Sequence, residues 1–119
     1  LGRKKEWAED RFSILAGFVE PGETIEGAVA REVMEEVGIP ITNIRYHSSQ
    51  PWPFPSNLML GFFAEAESET INITDDELAE ARWFTREELL DEAKAYAEKP
   101  HSVSIARRLI SEWTLGIEP

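Results

Sequence analysis

The chain has 119 residues and no cysteine, and its 23 acidic residues against 12 Lys and Arg give a formal net charge of −11 at pH 7. This length fits one domain with one core, and the charge argues against general nucleic-acid binding through a basic surface, so an anionic substrate would be recruited locally by metals and a few Arg or Lys residues. Without an 18-residue apolar run, a signal-peptide pattern or cysteine, we expect a cytoplasmic protein with no membrane partner.

The first predicted elements lead towards a glycine-containing loop. Leu1 to Lys5 is typical of the end of a strand, and the residues Phe-Ser-Ile-Leu at 12–15 are predicted as another strand. Two glycines and a proline within residues 17–23 predict a loop. Good helix formers from Thr24 to Val37, followed by Gly38, predict a helix with a glycine stop.

The predicted helix has two distinct faces. Apolar residues recur every four positions along one stripe, namely Ile25, Val29, Val33 and Val37. Glu32, Glu35 and Glu36 share another face, which we expect on the solvent side. Three such close carboxylates destabilise a bare helix, and their hard oxygens suit Mg²⁺ or Mn²⁺. A solvated acidic face is the alternative, and the complete spacing favours the metal site.

The fixed residues of this segment resemble the signature of the Nudix hydrolases without a departure: Gly17, Glu23, Arg31, Glu32, Glu35, Glu36 and Gly38. The resemblance implies an α+β fold, the Nudix-type α/β/α sandwich with a mixed β-sheet, and hydrolysis of a diphosphate. It implies catalytic roles for Glu23, Arg31, Glu32, Glu35 and Glu36. We interpret Glu23 and Arg31 as an ion pair that holds the loop against the helix.

The same resemblance implies a set of metal ligands: the Ala16 carbonyl, Glu32, Glu35, Glu36 and Glu77. The bound ions would bridge the helix to a substrate phosphate and acidify a bound water. Glu77 lies in an acidic stretch at residues 75–80, which on sequence alone also fits a solvated turn. Phe18, next to Gly17, is expected to stack on a ring of the substrate.

A second motif follows a strand predicted at residues 41–48. Residues 49–57 read Ser-Gln-Pro-Trp-Pro-Phe-Pro-Ser-Asn, which is similar to the motif of the NADH pyrophosphatases within the Nudix family, where Ser usually stands at the position of Asn57. The alternating prolines predict a stiff, extended loop that could hold a flat ring. A proline-rich ligand and plain aromatic packing are the alternatives. The substrate-binding residues are expected to be Gln50, Pro51, Trp52, Pro53, Phe54, Pro55, Ser56 and Asn57.

The remaining elements are predicted as strands at 58–67 and 81–85 and helices at 86–98 and 102–114. The first of these strands is apolar on both faces, which predicts a central position in a sheet. The last helix resembles the family's C-terminal helix, in which Ala106 would border the substrate. His47 and His101 have no partners at metal-ligand spacing and are interpreted as ordinary surface or loop residues.

Together these motifs imply a metal-dependent hydrolase that cleaves NADH, and NAD⁺, to nicotinamide mononucleotide and AMP, with NAD-capped RNA as a further substrate. The alternatives are a Nudix enzyme for ADP-ribose or a nucleoside triphosphate, and a catalytically silent binding module. The family resemblance also implies a homodimer. Residues 1–119 are expected to be a Nudix domain fragment without its opening strand and the family's upstream domain with a zinc ribbon, whose zinc a cysteine-free chain cannot bind.

Overall fold

The computed structural model describes residues 1–52, 57–74, 77–98 and 104–117. Its elements are β1 (Gly2–Lys4), α1 (Ile25–Val37), β2 (Ile41–Trp52), β3 (Asn57–Ala66), β4 (Leu78–Ala81), a 3₁₀ turn (Glu87–Leu89), α2 (Leu90–Glu98) and α3 (Ile105–Thr114). This order of helices and strands confirms the predicted α+β class.

The described strands pair two by two. β1 runs antiparallel to β4, and β2 pairs with β3, so the described residues contain two two-stranded sheets and no larger mixed sheet. The chain divides into two compact units. The first unit comprises Leu1–Ile44 with Ala64–Trp83, and the second comprises Arg45–Phe63 with Phe84–Pro119. No described helix is long and apolar enough to cross a membrane.

Helix α1 begins and ends where the sequence predicts. The Thr24 hydroxyl accepts a hydrogen bond from the Gly27 amide at 3.0 Å and caps the first turn. Gly38 adopts the left-handed conformation with φ 70°, and its amide donates to the Met34 carbonyl. The apolar stripe is buried only towards the C-terminal end, because Val37 is buried whereas Ile25 is exposed.

The core of the first unit joins the end of α1 to β4. Val37, Ile39 and Leu78 are buried together. The half-buried side chains around them are Leu15, Val33, Ile41, Ile71 and Ala81. These contacts fix the C-terminal end of the acidic helix against the sheet, since apolar burial is the main stabilising contribution here.

The predicted strand at residues 12–15 is wrong. Only Ser13 forms a bridge, in which its amide and carbonyl exchange hydrogen bonds of 2.9 Å with Gly2. Gly2 opens β1, whose partner strand is β4 through the register Gly2↔Ala81. Because β1 is only three residues long, it offers too few backbone groups to hold a second full strand.

The strand predicted at 81–85 lies earlier, at Leu78–Ala81, where β1 supplies its partner. Trp83 is outside the strand, and its indole Nε1 donates to the Glu69 carbonyl at 2.8 Å. Residues 49–52 were predicted as a loop, but they belong to β2, which extends to Trp52 and has β3 as its partner strand.

The second unit has a helical core. Helices α2 and α3 pack on each other, and the buried apolar residues are Leu89, Ala93, Ile105, Leu109 and Ile110. Gly61 of β3 lets α3 approach closely, because a Cβ there would lie 2.8 Å from Leu109 Cδ1. The prediction of β3 as a central strand is wrong: within the described ranges it pairs only with β2, and Leu58 is 65% exposed.

Candidate functional site

Arg31 of α1 is the centre of an ionic cluster in the first unit. Its Nε lies 2.7 Å from Glu23 Oε2 and its Nη2 lies 2.8 Å from Glu23 Oε1, a two-point contact that fixes both side chains. The predicted ion pair between helix and loop is therefore present. The hydrogen bond from Arg31, with a second one from the Glu20 amide, lowers the pKa of Glu23 from 4.5 to about 2.

The same guanidinium also reaches the acidic face of the helix. Nη1 of Arg31 donates to Glu32 Oε1 at 2.8 Å and to Glu35 Oε2 at 3.1 Å. Nη2 donates to the Phe18 carbonyl at 2.9 Å. The bonds to Glu23 and then to Glu32 raise the pKa of Arg31 above its ordinary value. One cation thus offsets the repulsion between neighbouring carboxylates and anchors the loop backbone.

Gly17 brings the loop backbone against one of these carboxylates. A Cβ at Gly17 would lie 2.1 Å from Cδ and Oε2 of Glu32, far inside van der Waals contact. Only a residue without a side chain permits this approach while Glu32 keeps its bond to Arg31. The glycine at this position is therefore explained by the position of the carboxylate.

The three helix acids of the family signature, Glu32, Glu35 and Glu36, have different surroundings. The Glu35 side chain is 56% exposed, and the Glu35 carbonyl accepts a hydrogen bond from the Thr74 hydroxyl. The Glu32 side chain is half-buried. Glu36 is only 4% exposed, so its predicted position on the solvent side is wrong. The reason is its place beside Val37, at the end of the helix that enters the core.

The acidic residues fit a hard divalent cation by donor type, since carboxylate oxygens are the preferred ligands of Mg²⁺ and Mn²⁺. Across the ranges that the structure describes, no three His, Asp or Glu side chains are arranged to hold a metal ion. Arg31 Nη1 bonds both Glu32 and Glu35 and holds them in its own geometry. A metal at these carboxylates would therefore bind their other oxygens, Glu32 Oε2 and Glu35 Oε1, or replace bonds to Arg31.

The other residues predicted in the first unit are exposed. Ala16 and Phe18 both belong to the loop before α1, and the Phe18 side chain is 75% exposed. Glu77 lies immediately before β4 and lines a cavity of about 230 Å³ together with Lys4, Lys5 and Glu6. The ring of Phe18 is thus accessible, and the predicted ligand Glu77 has two lysines near it.

The predicted substrate motif belongs to the second unit. Gln50 Oε1 accepts a hydrogen bond from the Ile105 amide at 2.9 Å, so it ties β2 to the first residue of α3. Ala106 is half-buried in the same first turn. Pro51 and Asn57 are exposed, at the end of β2 and the start of β3. Trp52 is the last residue of β2. Four members of the motif lie outside the described residues: Pro53, Phe54, Pro55 and Ser56.

A buried charged network in the second unit was not predicted. His47 Nε2 lies 3.1 Å from Glu112 Oε1, and the two side chains are only 7% and 10% exposed. His47 Nδ1 lies 2.8 Å from the Ser48 hydroxyl, and Arg108 Nε donates to Glu112 Oε2 at 2.7 Å. The interpretation of His47 as an ordinary surface or loop residue is wrong. His101 lies outside the described residues.

Only one of the two ion pairs in this network could have been predicted from the sequence. Arg108 and Glu112 stand four residues apart on α3, the spacing of a helical ion pair. His47 lies 65 residues from Glu112, and Gln50 lies 55 residues from Ile105. No local pattern relates residues at such separations. The tie between β2 and α3 could therefore be found only from the structure.

Comparison with known proteins places this geometry in a family. The family model described as "NUDIX domain" matches residues 1–107. The NAD-capped RNA hydrolase NUDT12 of Macaca fascicularis is 48% identical over 117 residues, which cover 95% of this chain and 25% of that protein. The human NUDT12 is 47% identical with the same coverage. The NAD-capped RNA hydrolase NudC of Mycobacterium bovis is 47% identical over 123 residues, 95% of this chain and 39% of that protein.

The matched residues include those of the ionic cluster around α1. The chain spans about a quarter to two fifths of the length of the curated relatives that it matches. The family model covers nearly all of the chain, including the whole of α1 and the loop before it. The chain belongs to the Nudix family.

Proposed function

We propose that this domain hydrolyses the diphosphate bond of NADH, and of NAD⁺, to nicotinamide mononucleotide and AMP. One water is added and one bridging P–O bond is broken. The observation that carries the proposal is the acidic face of α1, which Arg31 ties to the loop of Gly17 and Glu23. Such a face gives a divalent cation several carboxylate donors next to a glycine-lined approach.

The roles of the residues follow from their contacts. Glu32, Glu35 and Glu36, with the Ala16 carbonyl and Glu77, are the proposed ligands of Mg²⁺ or Mn²⁺. When bound, such ions polarise a phosphate and lower the pKa of water. Glu35 is more exposed than Glu32 and Glu36, which also makes it a candidate to accept a proton from water.

Arg31 and Glu23 act as positioning residues in this scheme. Their two-point contact would hold the loop in place when a metal ion is bound by Glu32 and Glu35. The pKa of Glu23 is lowered to about 2 by these bonds, so the charged form that accepts them is favoured over a wider pH range. The loop would therefore keep this anchor with or without a bound metal ion.

The choice of substrate rests on the second motif and on the relatives. The relatives are named NAD-capped RNA hydrolases, and they are 47–48% identical to this chain. We propose that residues 50–57 and Ala106 bind one part of the dinucleotide, and that the exposed Phe18 ring stacks on one of its rings. Removal of an NAD cap from the 5′ end of RNA is the proposed second activity.

Two other functions remain as alternatives to this proposal. A Nudix enzyme for ADP-ribose or a nucleoside triphosphate would use the same acidic helix but not the second motif. A catalytically silent module would be expected to lack acids of the helix, whereas Glu32, Glu35 and Glu36 are all present. The motif and the intact acids therefore favour the NADH hydrolase.

A substrate panel tests the proposal. The chain is incubated with Mg²⁺ or Mn²⁺ and with NADH, NAD⁺, ADP-ribose or ATP, and the products are separated by chromatography. We expect AMP and the nicotinamide mononucleotide from the first two substrates, and loss of turnover on chelation of the metal. Preferential cleavage of ADP-ribose or ATP would replace the proposal with the first alternative.

We further propose that the domain is a cytoplasmic homodimer. The second unit exposes Leu58, Leu115 and Ile117, and the last of these is 54% exposed. Exposed apolar side chains of this kind are suited to contact with a second copy. Light scattering at tens of micromolar should give twice the monomer mass, and a monomer of full activity would contradict the assignment.

A further inference from the structure

Strand β2 is tied to helix α3 at two separate points in the second unit. Near the end of β2, Gln50 Oε1 accepts a hydrogen bond from the Ile105 amide at 2.9 Å. Earlier in the same strand, His47 Nε2 lies 3.1 Å from Glu112 Oε1, and the nitrogen is the donor because a carboxylate can only accept. We call these two contacts the first and the second β2–α3 tie. They lie at the start of α3 and near its end.

The spacing of the two ties matches the geometry of a strand that runs in the opposite direction to a helix. Gln50 and His47 are separated by a stretch of strand that spans about 10 Å. Their partners Ile105 and Glu112 are separated by two helical turns, which also span about 10 Å. Two contacts at this separation fix both the position of α3 and its angle to β2, whereas a single contact would let the helix pivot.

Further contacts hold the second tie in place. The Ser48 hydroxyl lies 2.8 Å from His47 Nδ1, and the Phe63 ring meets the imidazole edge to face with 5.2 Å between the ring centroids. Arg108 Nε donates to the other oxygen of Glu112 at 2.7 Å. The His47 and Glu112 side chains are both buried. This tie is therefore a rigid spacer and not a flexible surface pair.

Apolar packing already supplies attraction between α3 and the strands. Ile105 and Leu109 are buried, and Gly61 of β3 lets the Leu109 side chain approach closely. Apolar burial is non-directional, so hydrogen bonds define the rotation of a helix more sharply. Replacing a buried ionic group by an apolar residue of similar volume is often neutral for stability. The ties therefore contribute mainly to where α3 lies.

The first tie joins the two segments that the proposed function assigns to the dinucleotide. Gln50 begins the segment at residues 50–57, and Ile105 directly precedes Ala106, which is half-buried in the first turn of α3. The hydrogen bond between Gln50 and Ile105 thus sets the distance between these segments. The second tie, at His47, sets the angle of the helix that carries Ala106.

We propose that His47 and Gln50 are positioning residues, which hold the first turn of α3 at the distance from β2 that NADH requires. This proposal rests on the proposed function above. His47 is buried and acts through Glu112, without touching the substrate. A pocket wall that is fixed before binding lowers the entropic cost of binding. Loosening this wall should therefore weaken the affinity for NADH more than the turnover of bound NADH.

The test uses the whole chain and three measurements. Titration of NADH fluorescence without metal gives its Kd, initial rates with Mg²⁺ give kcat and KM, and amide hydrogen exchange followed by NMR reports on Ile105. His47→Phe keeps a ring but removes both nitrogens, whereas His47→Gln keeps an N–H donor for Glu112. Gln50→Met removes the oxygen that the Ile105 amide uses. The control is Leu89→Val, which lowers stability from a buried position outside the ties.

We expect His47→Phe and Gln50→Met each to raise the Kd and the KM for NADH about tenfold, with kcat within about twofold of the wild type. Exchange of the Ile105 amide should accelerate in both variants, and His47→Gln should restore most of the affinity. Leu89→Val should change neither the Kd nor the KM. If His47→Phe does not fold, Gln50→Met decides the question.

Three results would overturn the proposal: a wild-type Kd in Gln50→Met, weaker binding in that variant without faster exchange at Ile105, or a loss of affinity in Leu89→Val as large as in His47→Phe. The second of these would indicate direct contact between Gln50 and the substrate. A wild-type chain that binds NADH in this His47-dependent manner but does not hydrolyse it would refute the proposed function and leave the positioning role supported.

Discussion

The two units each contain an arginine-carboxylate network, and the two networks differ in their access to solvent. Arg31 and its partners Glu23, Glu32 and Glu35 have side chains that are 21–56% exposed. In the second unit, His47 and Glu112 are almost entirely buried. A cation from solution can compete for the first set of carboxylates, whereas Glu112 is buried against His47, although its partner Arg108 is 46% exposed. One network is therefore suited to exchange its partners and the other to hold helix and strand together.

The largest expected effect concerns the helix that carries the exposed network. Glu36→Gln preserves side-chain shape at a position that is 4% exposed, and it should lower turnover of NADH at least about 100-fold, the scale of losing a catalytic electrostatic group. Steady-state rates with Mg²⁺ measure the loss. Thermal unfolding without metal checks that the variant stays folded, because Glu36 lies where the end of α1 enters the core.

Glu26→Gln is the matched control for this substitution. Glu26 lies in the first turn of the same helix, outside the family signature, and is exposed. Its rate should equal that of the wild type. If Glu36→Gln also turned over at the wild-type rate, the metal site would have to be sought elsewhere.

The buried network should respond in stability. Glu112→Gln removes a charge that accepts hydrogen bonds from Arg108 and pairs with His47. We expect a loss of about 1–3 kcal/mol in the free energy of unfolding, the usual cost of a broken buried hydrogen-bonded charge. Urea titration measures it, with the exposed Glu92→Gln of α2 as control. A change in stability no larger than that of the control would mean that the network is not structural.

A smaller effect on activity should show whether the Phe18 ring stacks on the substrate or packs against the protein. Phe18 is 75% exposed and its neighbour Val19 is 52% exposed, so neither contributes much to the core. Phe18→Ala should weaken the use of NADH by about 1 kcal/mol, roughly fivefold in kcat/KM, through lost stacking. Val19→Ala should not. Equal effects of the two substitutions would argue against a contact between Phe18 and the substrate.

The smallest expected effect is a change in stability at low pH. Because the pKa of Glu23 is lowered from 4.5 to about 2, its bonds to Arg31 contribute stability that is fully present above pH 4.5 and disappears as the pH falls through 2. Glu23→Gln should therefore be less stable than the wild type at pH 6, and the difference should shrink between pH 4.5 and 2. Thermal unfolding at several pH values follows it. A difference that is constant with pH would show that the pair does not titrate in this range.

The part of the molecule that could be predicted from sequence is the part whose contacts are local. The caps of α1 at Thr24 and Gly38 and the pair of Glu23 with Arg31 all lie within the family signature, only a few residues apart. The bounds of the strands were predicted less well, because residues 12–15 and 78–81 take their pairing from the short β1 and not from their own composition.

The side-chain roles in the second unit could not be predicted for a related reason. Gln50 belongs to a recognisable motif, yet its amide oxygen bonds the start of α3, which no spacing indicates. The burial of Glu36 likewise depends on how the end of α1 enters the core. Sequence patterns identify which residues share a face of one element, but the neighbours of that face come from distant segments.

The contact between Gly17 and Glu32 has a consequence for the design of variants of this domain. Any side chain at position 17 would force the carboxylate of Glu32 away from Arg31, because a Cβ there would overlap it. The next two positions, Phe18 and Val19, are open to solvent and carry no such restriction. A library meant to test the proposed nucleotide preference should therefore randomise positions 18 and 19 and leave position 17 untouched, since a side chain there would displace the Glu32 carboxylate.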